Sequence, residues 1–415
     1  MDETAAVAVS GLAESGFEEV RDAFAANFDR GLEVGAALCV HVNGRKVVDL
    51  CGGSFDAEGT RAYGPDTLQF VFSSTKGATA ACAHLLAQRG LLDFDAPVAT
   101  YWPEFAQAGK ADLPVRYLLS HQAGLPVVDR RLTTDEFLSW DPIVAALAEQ
   151  APIWEPGTAH GYHAVSYGYL VGEVVRRISG RSLGAFFAEE IAGPLGLEFY
   201  IGLPGALEER VSPIMGGSIL GAAAGVRDDD GGGGDHVDPD AAPPAFDFTN
   251  TVLARALNLA GAIRDLNWMN TPAWHAAEMP AANGITNAVS LSRMYAGLTG
   301  TVEGGPAAPL LSPEEIDKAR TVLTFGEDQV FGSVGMPMKQ KIGLGYWVAS
   351  PEALFGAEGA FGHSGAGGSY GFADPENGLA VGYVMNKMSH ELLDSRPHDI
   401  VSSIYQAIGI EAKYF

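Results

Sequence analysis

Ser73 and Lys76 stand three residues apart in Phe-Val-Phe-Ser-Ser-Thr-Lys-Gly, residues 70–77. On a helical turn that spacing puts a hydroxyl and an amine on one face, within hydrogen-bond reach. A serine hydroxyl is a weak nucleophile until a base takes its proton. An amine can be that base when burial or a positive field lowers its pKa from about 10.4, and the first turn of a helix supplies such a field. Ser74, two residues from the lysine, points elsewhere, so the spacing selects Ser73. A second serine competes for the role. Gly367-Gly368-Ser369-Tyr370-Gly371 fits G-x-S-x-G, a turn that exposes a nucleophile between a strand and a helix, with an acid and a histidine further downstream. Here strand-like Tyr-Gly-Phe-Ala-Asp follows instead of a helix, and His390 and His398 lie too near the C-terminus. Ser369 is therefore expected in a loop or strand.

The elements that must position Ser73 come from a chain of 415 residues, 47% apolar and 19% charged, which suits a soluble folded protein with a large core. A formal charge of −25 argues against a nucleic-acid partner. Cys39, Cys51 and Cys82 have neither disulfide-framework nor zinc-site spacing. The acidic start lacks the pattern of a signal peptide, and no apolar run approaches a membrane span, so a cytoplasmic protein is expected. Phe17, Val20, Phe24 and Phe28 recur at helical spacing. Two apolar stretches around Asn43-Gly44 read as a hairpin. Ala-rich sequence after Lys76 reads as a helix ending at Gly90, and helical patterns dominate as far as residue 323. Strand patterns return in Lys-Ile-Gly-Leu-Gly-Tyr-Trp and beyond, and a helix closes the chain. Strands at both ends with helices between imply an α+β fold: an antiparallel sheet flanked by helices, formed by both termini, with an inserted, mostly helical lobe. The expected division is 1–72 plus 331–415 for the sheet lobe and 73–330 for the helical lobe. Residues 225–248, rich in Gly, Pro and Asp, read as an exposed insertion, without the spacing of a calcium loop.

Four ordered segments resemble the serine β-lactamase and penicillin-binding-protein superfamily, in its class C-like branch of family VIII carboxylesterases. Residues 70–77 correspond to the S-x-x-K element and 113–126, with His121, to the Leu-Leu-x-His-x-x-Gly-Leu segment. Residues 154–182 correspond to the region of the family's tyrosine, and 361–388 to the strand carrying its third motif. The resemblance implies that Tyr162, in Tyr-His-Ala where the family has Y-x-N, shuttles the proton between Ser73 and the leaving alkoxide, with Lys76. It implies that His363-Ser364-Gly365 replaces K-T-G along an edge strand where substrate binds, and that the N–H groups of Ser73 and Ala366 form the oxyanion hole. His163, beside Tyr162, is expected to line the cleft, and His121 to make a structural hydrogen bond. Trp268, Trp274 and Phe248 are candidates for the wall of an acyl or alcohol pocket.

Two departures steer the substrate. Ala164 removes the amide of Y-x-N, and His363 replaces the lysine that in the family meets a carboxylate; a histidine is mostly neutral at pH 7. Both favour neutral esters over β-lactams or peptides. The expectation is a carboxylesterase acting through an acyl-enzyme on small or short-acyl esters, with no metal and no organic cofactor, no membrane partner, and room for a homo-oligomer. Acyl transfer to another acceptor, amidase or D-aminopeptidase activity and weak β-lactam hydrolysis use the same machinery. A catalytically silent binding module is disfavoured by the presence of serine, lysine and tyrosine together.

Overall fold

The structure is a computed structural model that describes residues 7–216, 250–263, 267–389 and 394–414. The 225–248 insertion, His390 and Phe248 lie outside the described residues. Near the N-terminus, β1 (Val9–Ala13), β2 (Gly35–Val42) and β3 (Arg45–Gly53) form an antiparallel set. The β2–β3 turn has Asn43 at φ 50° and Gly44 at φ 74°. Both are left-handed, as the tight hairpin turn that favours Asn-Gly requires. A small sheet follows from β4 (Leu68–Phe70), β5 (Phe199–Tyr200), β6 (Val211–Ser212) and β7 (Ile285–Thr286), ordered β5-β7-β4-β6. The chain returns to the first sheet with β8 (Thr324–Glu327), β9 (Lys339–Ile342), β10 (Trp347–Val348), β11 (Phe361–Ser364), β12 (Tyr370–Asp374) and β13 (Leu379–Met385). The nine strands run β1-β3-β2-β13-β12-β11-β10-β9-β8, every neighbour antiparallel.

The join between the two ends of the chain is the β2–β13 pairing, which is continuous from Ala36↔Met385 to Val42↔Leu379. Adjacent residues of β13 face opposite layers. Tyr383 meets Phe24 of α1 (Glu18–Asp29) edge to face, and α1 packs against the C-terminal helix Arg396–Ala407. Gly382 faces the helix Ala288–Thr299 on the other layer. That helix, expected in the helical lobe, therefore covers the sheet. It sits so close that a Cβ on Gly382 would lie 2.5 Å from the Ala288 carbonyl oxygen, and one on Gly371 2.7 Å from the Tyr295 ring.

Five of the described strands were not evident from the pattern: the two-residue β5, β6 and β7, and the edge strands β1 and β8. Edge strand β1 is exposed along its middle and carries Gly11, and β8 alternates partly buried and exposed residues over only four positions. Short edge strands offer little apolar signal. The third-motif strand β11 is not an edge. It pairs with β10 on one side and β12 on the other, because the sheet continues outward through β8.

The helix α2 (Thr75–Gln88) is buried along nearly its whole length and packs against the helix Ser166–Ser179, which explains its run of Ala, Gly and Thr. Among the described residues no helix is long and apolar enough to cross a membrane.

Gly382→Ala is expected to push the Ala288–Thr299 helix off the sheet and lower stability by about 1–3 kcal/mol, read as a drop in the thermal midpoint; an unchanged midpoint would contradict the packing described.

Candidate active site

Strand β4 runs into a strained turn before α2. Phe72 is left-handed at φ 45°, a conformation that costs a bulky residue on the order of 1–3 kcal/mol. Thr75 holds the turn: its hydroxyl donates to the Phe72 carbonyl and accepts the Gly284 N–H at 2.8 Å, while the Val71 N–H donates to the Gly284 carbonyl at 2.9 Å. The turn presents Ser73 to a cavity and buries Ser74 completely. Ser74 Oγ lies 3.2 Å from Ser369 Oγ, and Ser369 donates to the Val71 carbonyl at 2.8 Å. Both serines thus sit in a buried seam joining the start of β12 to the turn. The glycines of G-x-S-x-G have separate reasons: Gly367 and Gly368 are left-handed at φ 81° and 126°, and Gly371 makes room for a helix.

The Lys76 amine is buried, with three neighbours. It lies 3.1 Å from Ser73 Oγ and donates to the carbonyls of Ala164 at 2.7 Å and Ala281 at 2.9 Å. Burial pushes its pKa well below the ordinary lysine value. A neutral amine has two N–H donors and one lone pair. The two carbonyls take the donors and leave the lone pair for the Ser73 hydroxyl.

Tyr162 donates its phenolic hydrogen to Ser73 Oγ at 2.7 Å. Burial raises its pKa above the usual tyrosine range, against the lowering effect of the Ser73 hydrogen bond. Its ring stacks with Phe331, centroids 5.7 Å apart. Phe331 is in turn fixed by Asp328, whose carboxylate accepts the N–H groups of Val330 and Phe331 at 2.8 and 2.9 Å. His121 brackets the tyrosine from behind: its carbonyl accepts the Gly161 N–H and its Nδ1 the His163 N–H, both at 3.1 Å. The site therefore pairs a serine with a base pushed towards neutrality and a phenol kept protonated, an arrangement suited to nucleophilic attack with proton relay.

Opposite the serine, Ser364, Gly365 and Ala366 line the same cavity. Gly365 is there for close approach to the nucleophile turn, since a Cβ would collide with the Val71 carbonyl and Ser369 Oγ. The N–H groups of Ser73 and Ala366 have no hydrogen-bond partner among the described residues, which leaves both available to a developing oxyanion.

The two histidines expected at the substrate stand elsewhere. His163 is fully buried; its Nε2 accepts the Leu125 N–H at 2.9 Å and its Nδ1 donates to the Gly161 carbonyl at 2.7 Å. Burial lowers its pKa to about 4, so it is a neutral structural residue rather than a cleft wall. His363 is buried beneath Trp347, rings stacked at 4.3 Å, with Nδ1 donating to the Ser364 carbonyl at 2.6 Å. Burial pushes its pKa well below the histidine range, so it presents no cation. His398 is exposed beside Asp399. Trp268 and Trp274 pack on one another at 4.8 Å, with Trp268 5.6 Å from Phe70, as core under β4 rather than as cavity wall.

The cavity, about 220 Å³, is walled instead by Leu253, Leu257, Phe331, Met338, Trp347 and Phe355, none of which belongs to a motif. Its described lining holds two acidic residues, Glu352 and Asp394, and no lysine or arginine.

A β-lactamase family model matches residues 24–402. The chain belongs to the β-lactamase family. Esterase/β-lactamase LipL of Mycobacterium tuberculosis is 34% identical over 392 residues, 93% of this chain and 84% of that protein. The crystal structure of a family VIII carboxylesterase matches with a TM-score of 0.82 at 37% identity, covering 96% of this chain and all of the other. A penicillin-binding-protein homologue from Caulobacter crescentus matches with the same TM-score at 35% identity, again over 96% of this chain and 100% of the other. This β-lactamase-family chain is a serine hydrolase enzyme.

A fluorophosphonate probe is expected to label Ser73 and leave Ser369 unmodified, and Lys76→Met to slow labelling by about 10²–10⁴-fold. Peptide mapping and labelling rates check this; an adduct on Ser369 would contradict Ser73 as the nucleophile, and an undiminished rate would contradict Lys76 as its base.

Proposed function

We propose that the chain is a carboxylesterase that cleaves small neutral esters through an acyl-enzyme on Ser73. The observation that carries this reading is the Ser73 hydroxyl held between Lys76 Nζ at 3.1 Å and the Tyr162 phenol at 2.7 Å, at the wall of an apolar cavity. The curated relative and the matching crystal structure that bear esterase names support it at 34% and 37% identity.

In the acylation step neutral Lys76 takes the Ser73 proton as Oγ bonds to the ester carbonyl carbon. The carbonyl oxygen, now an anion, meets the N–H groups of Ser73 and Ala366; each such donor contributes about 10²–10³-fold to rate. When the carbon–oxygen bond to the alcohol breaks, Tyr162 gives its proton to the departing alkoxide and recovers one from the Lys76 ammonium. In deacylation a water molecule adds to the acyl carbon, its proton passes to the same pair, and Ser73 leaves with its hydroxyl restored. Raising the tyrosine pKa and lowering the lysine pKa serve one end: both groups rest uncharged in a buried site and separate charge only during the reaction.

The cavity walls supply the substrate preference. A short acyl or alkyl group fits apolar side chains, whereas a carboxylate would enter a described lining with no lysine or arginine to pair it. Stripping water from such a carboxylate without pairing it is costly. His363, neutral and packed under Trp347, cannot offset that cost.

On a chromogenic short-acyl ester, Ser73→Ala is expected to abolish turnover while Ser369→Ala retains most of it; the reverse pattern would overturn the assignment. The same ester carrying a terminal carboxylate on its acyl chain is expected to have kcat/KM at least about tenfold lower. Equal values would remove the preference for neutral substrates.

A further inference from the structure

Arg396 is the largest buried cation of the described chain, 1% exposed at the start of the C-terminal helix. Its fork is fully used. Nε donates to both oxygens of Asp394 at 2.9 Å. Nη1 donates to Glu33 Oε1 at 3.1 Å and to the Lys387 carbonyl at 2.8 Å. Nη2 binds Asp394 Oδ2 and the carbonyl of Gly367. Burying a guanidinium costs several kcal/mol unless its hydrogen bonds and charge are met, and here two carboxyl groups and two carbonyls meet them. Glu33 is itself held by the Tyr383 hydroxyl, and burial lifts its pKa to about 8 against the pull of Arg396.

Nothing in the S-x-x-K, tyrosine or third-motif elements accounts for this network, but the carbonyl it grips belongs to the turn that carries the Ala366 N–H. That turn, Ala366–Gly368, follows β11 and is built from a residue pair with little stiffness of its own. Gly367 and Gly368 lie at φ 81° and 126°, the second in a region essentially reserved to glycine. Two backbone bonds close the turn internally, Gly365 N–H to the Ser369 carbonyl at 2.6 Å and Gly368 N–H to the Gly365 carbonyl at 3.2 Å. External fixation comes from below. The Gly367 carbonyl also accepts the Ser389 N–H at 3.0 Å, and a Cβ on Gly368 would collide with Arg396 Nη2 and Asp394 Oδ2. The turn thus rests directly on the guanidinium.

We propose that Arg396 is a positioning residue of the oxyanion hole: oriented by Asp394, it clamps the Gly367 carbonyl and so sets the direction of the Ala366 N–H. This rests on the reading of Ser73 and Ala366 given above. An oxyanion donor must lie 2.7–3.1 Å from where the charge develops, so a turn of two glycines that tilts loses transition-state stabilisation without losing ground-state binding. A lysine keeps the charge for Asp394 and Glu33 but cannot span two carboxyl groups and two carbonyls with one nitrogen.

The test is steady-state hydrolysis of the chromogenic ester by wild type, Ser73→Ala, Arg396→Lys, Asp394→Asn and Glu33→Gln, with thermal melts of each. Arg396→Lys is expected to lower kcat and kcat/KM together by about 10–100-fold with KM within about twofold, the pattern of an interaction made only in the transition state. Asp394→Asn, which keeps the arginine but loosens its orientation, is expected to lose about three- to tenfold with the same split. Glu33→Gln leaves the Gly367 bond in place and is expected to keep kcat within about twofold even where its melting point falls. If Arg396→Lys does not fold, the Asp394→Asn and Glu33→Gln pair carries the comparison. Unchanged kcat in the Arg396 and Asp394 variants, or equal losses in all three, would overturn the clamp. An active Ser73→Ala enzyme would overturn instead the reading of the site on which it rests.

Discussion

Two carbonyls and one hydroxyl surround the buried amine of Lys76, and that set of neighbours governs what the site can do. A second buried lysine provides the contrast. Lys110 donates to the carbonyls of Gln107, Ala148 and Gln150 at 3.0, 3.0 and 2.6 Å, one for each N–H of an ammonium. Its environment rewards the charged form, and burial brings its pKa down only to about 8. Lys76 lacks the third carbonyl. In its place is a hydroxyl that can donate as well as accept, so the neutral amine still satisfies every partner, and the deeper burial of Lys76 favours that form.

Much of the fold serves to assemble those three neighbours. Ser73 comes from the strained turn after β4, Ala164 from the segment just past Tyr162, and Ala281 from the stretch leading to β7. Gly168 lets the Ser166–Ser179 helix lie directly on Pro280 and Ala281, where any Cβ would collide with their backbone. Thr79, one turn along α2 from Lys76, donates to the Pro280 carbonyl and holds the same stretch against the helix. The side chain lost from Y-x-N at Ala164 therefore leaves untouched the contribution that position makes to the lysine, which is a backbone carbonyl.

The chemistry of the opening motif was legible because it depends on local geometry. An i, i+3 relation places Ser73 with Lys76 and Ser74 away from it, and an Asn-Gly pair marks a hairpin whatever surrounds it. The alternation of strands, helices and strands likewise conveyed a sheet made by both ends of the chain. What depends on long-range packing was not legible. His163 and His363 are of the right type and beside the right motifs, yet their ring nitrogens and exposure are set by Leu125, Gly161 and Trp347. The third-motif strand reads as an edge until the short strands β8, β9 and β10 are seen to extend the sheet beyond it. The cavity walls and Arg396 carry no local signal, since a leucine at 253 or an arginine at 396 looks like any other until the fold brings it under the serine or the turn.

The central claim is that Lys76 rests as a neutral amine in the folded enzyme. Carbon-13 labelling of the lysine side chains, with the Cε resonance of Lys76 assigned by comparison with Lys76→Met, reports its protonation directly across a pH titration. The account predicts a midpoint well below the free-lysine value of about 10.4, with the resonance in its neutral position at the pH where the enzyme turns over. A midpoint at or above that value would contradict it and leave Ser73 without the base described.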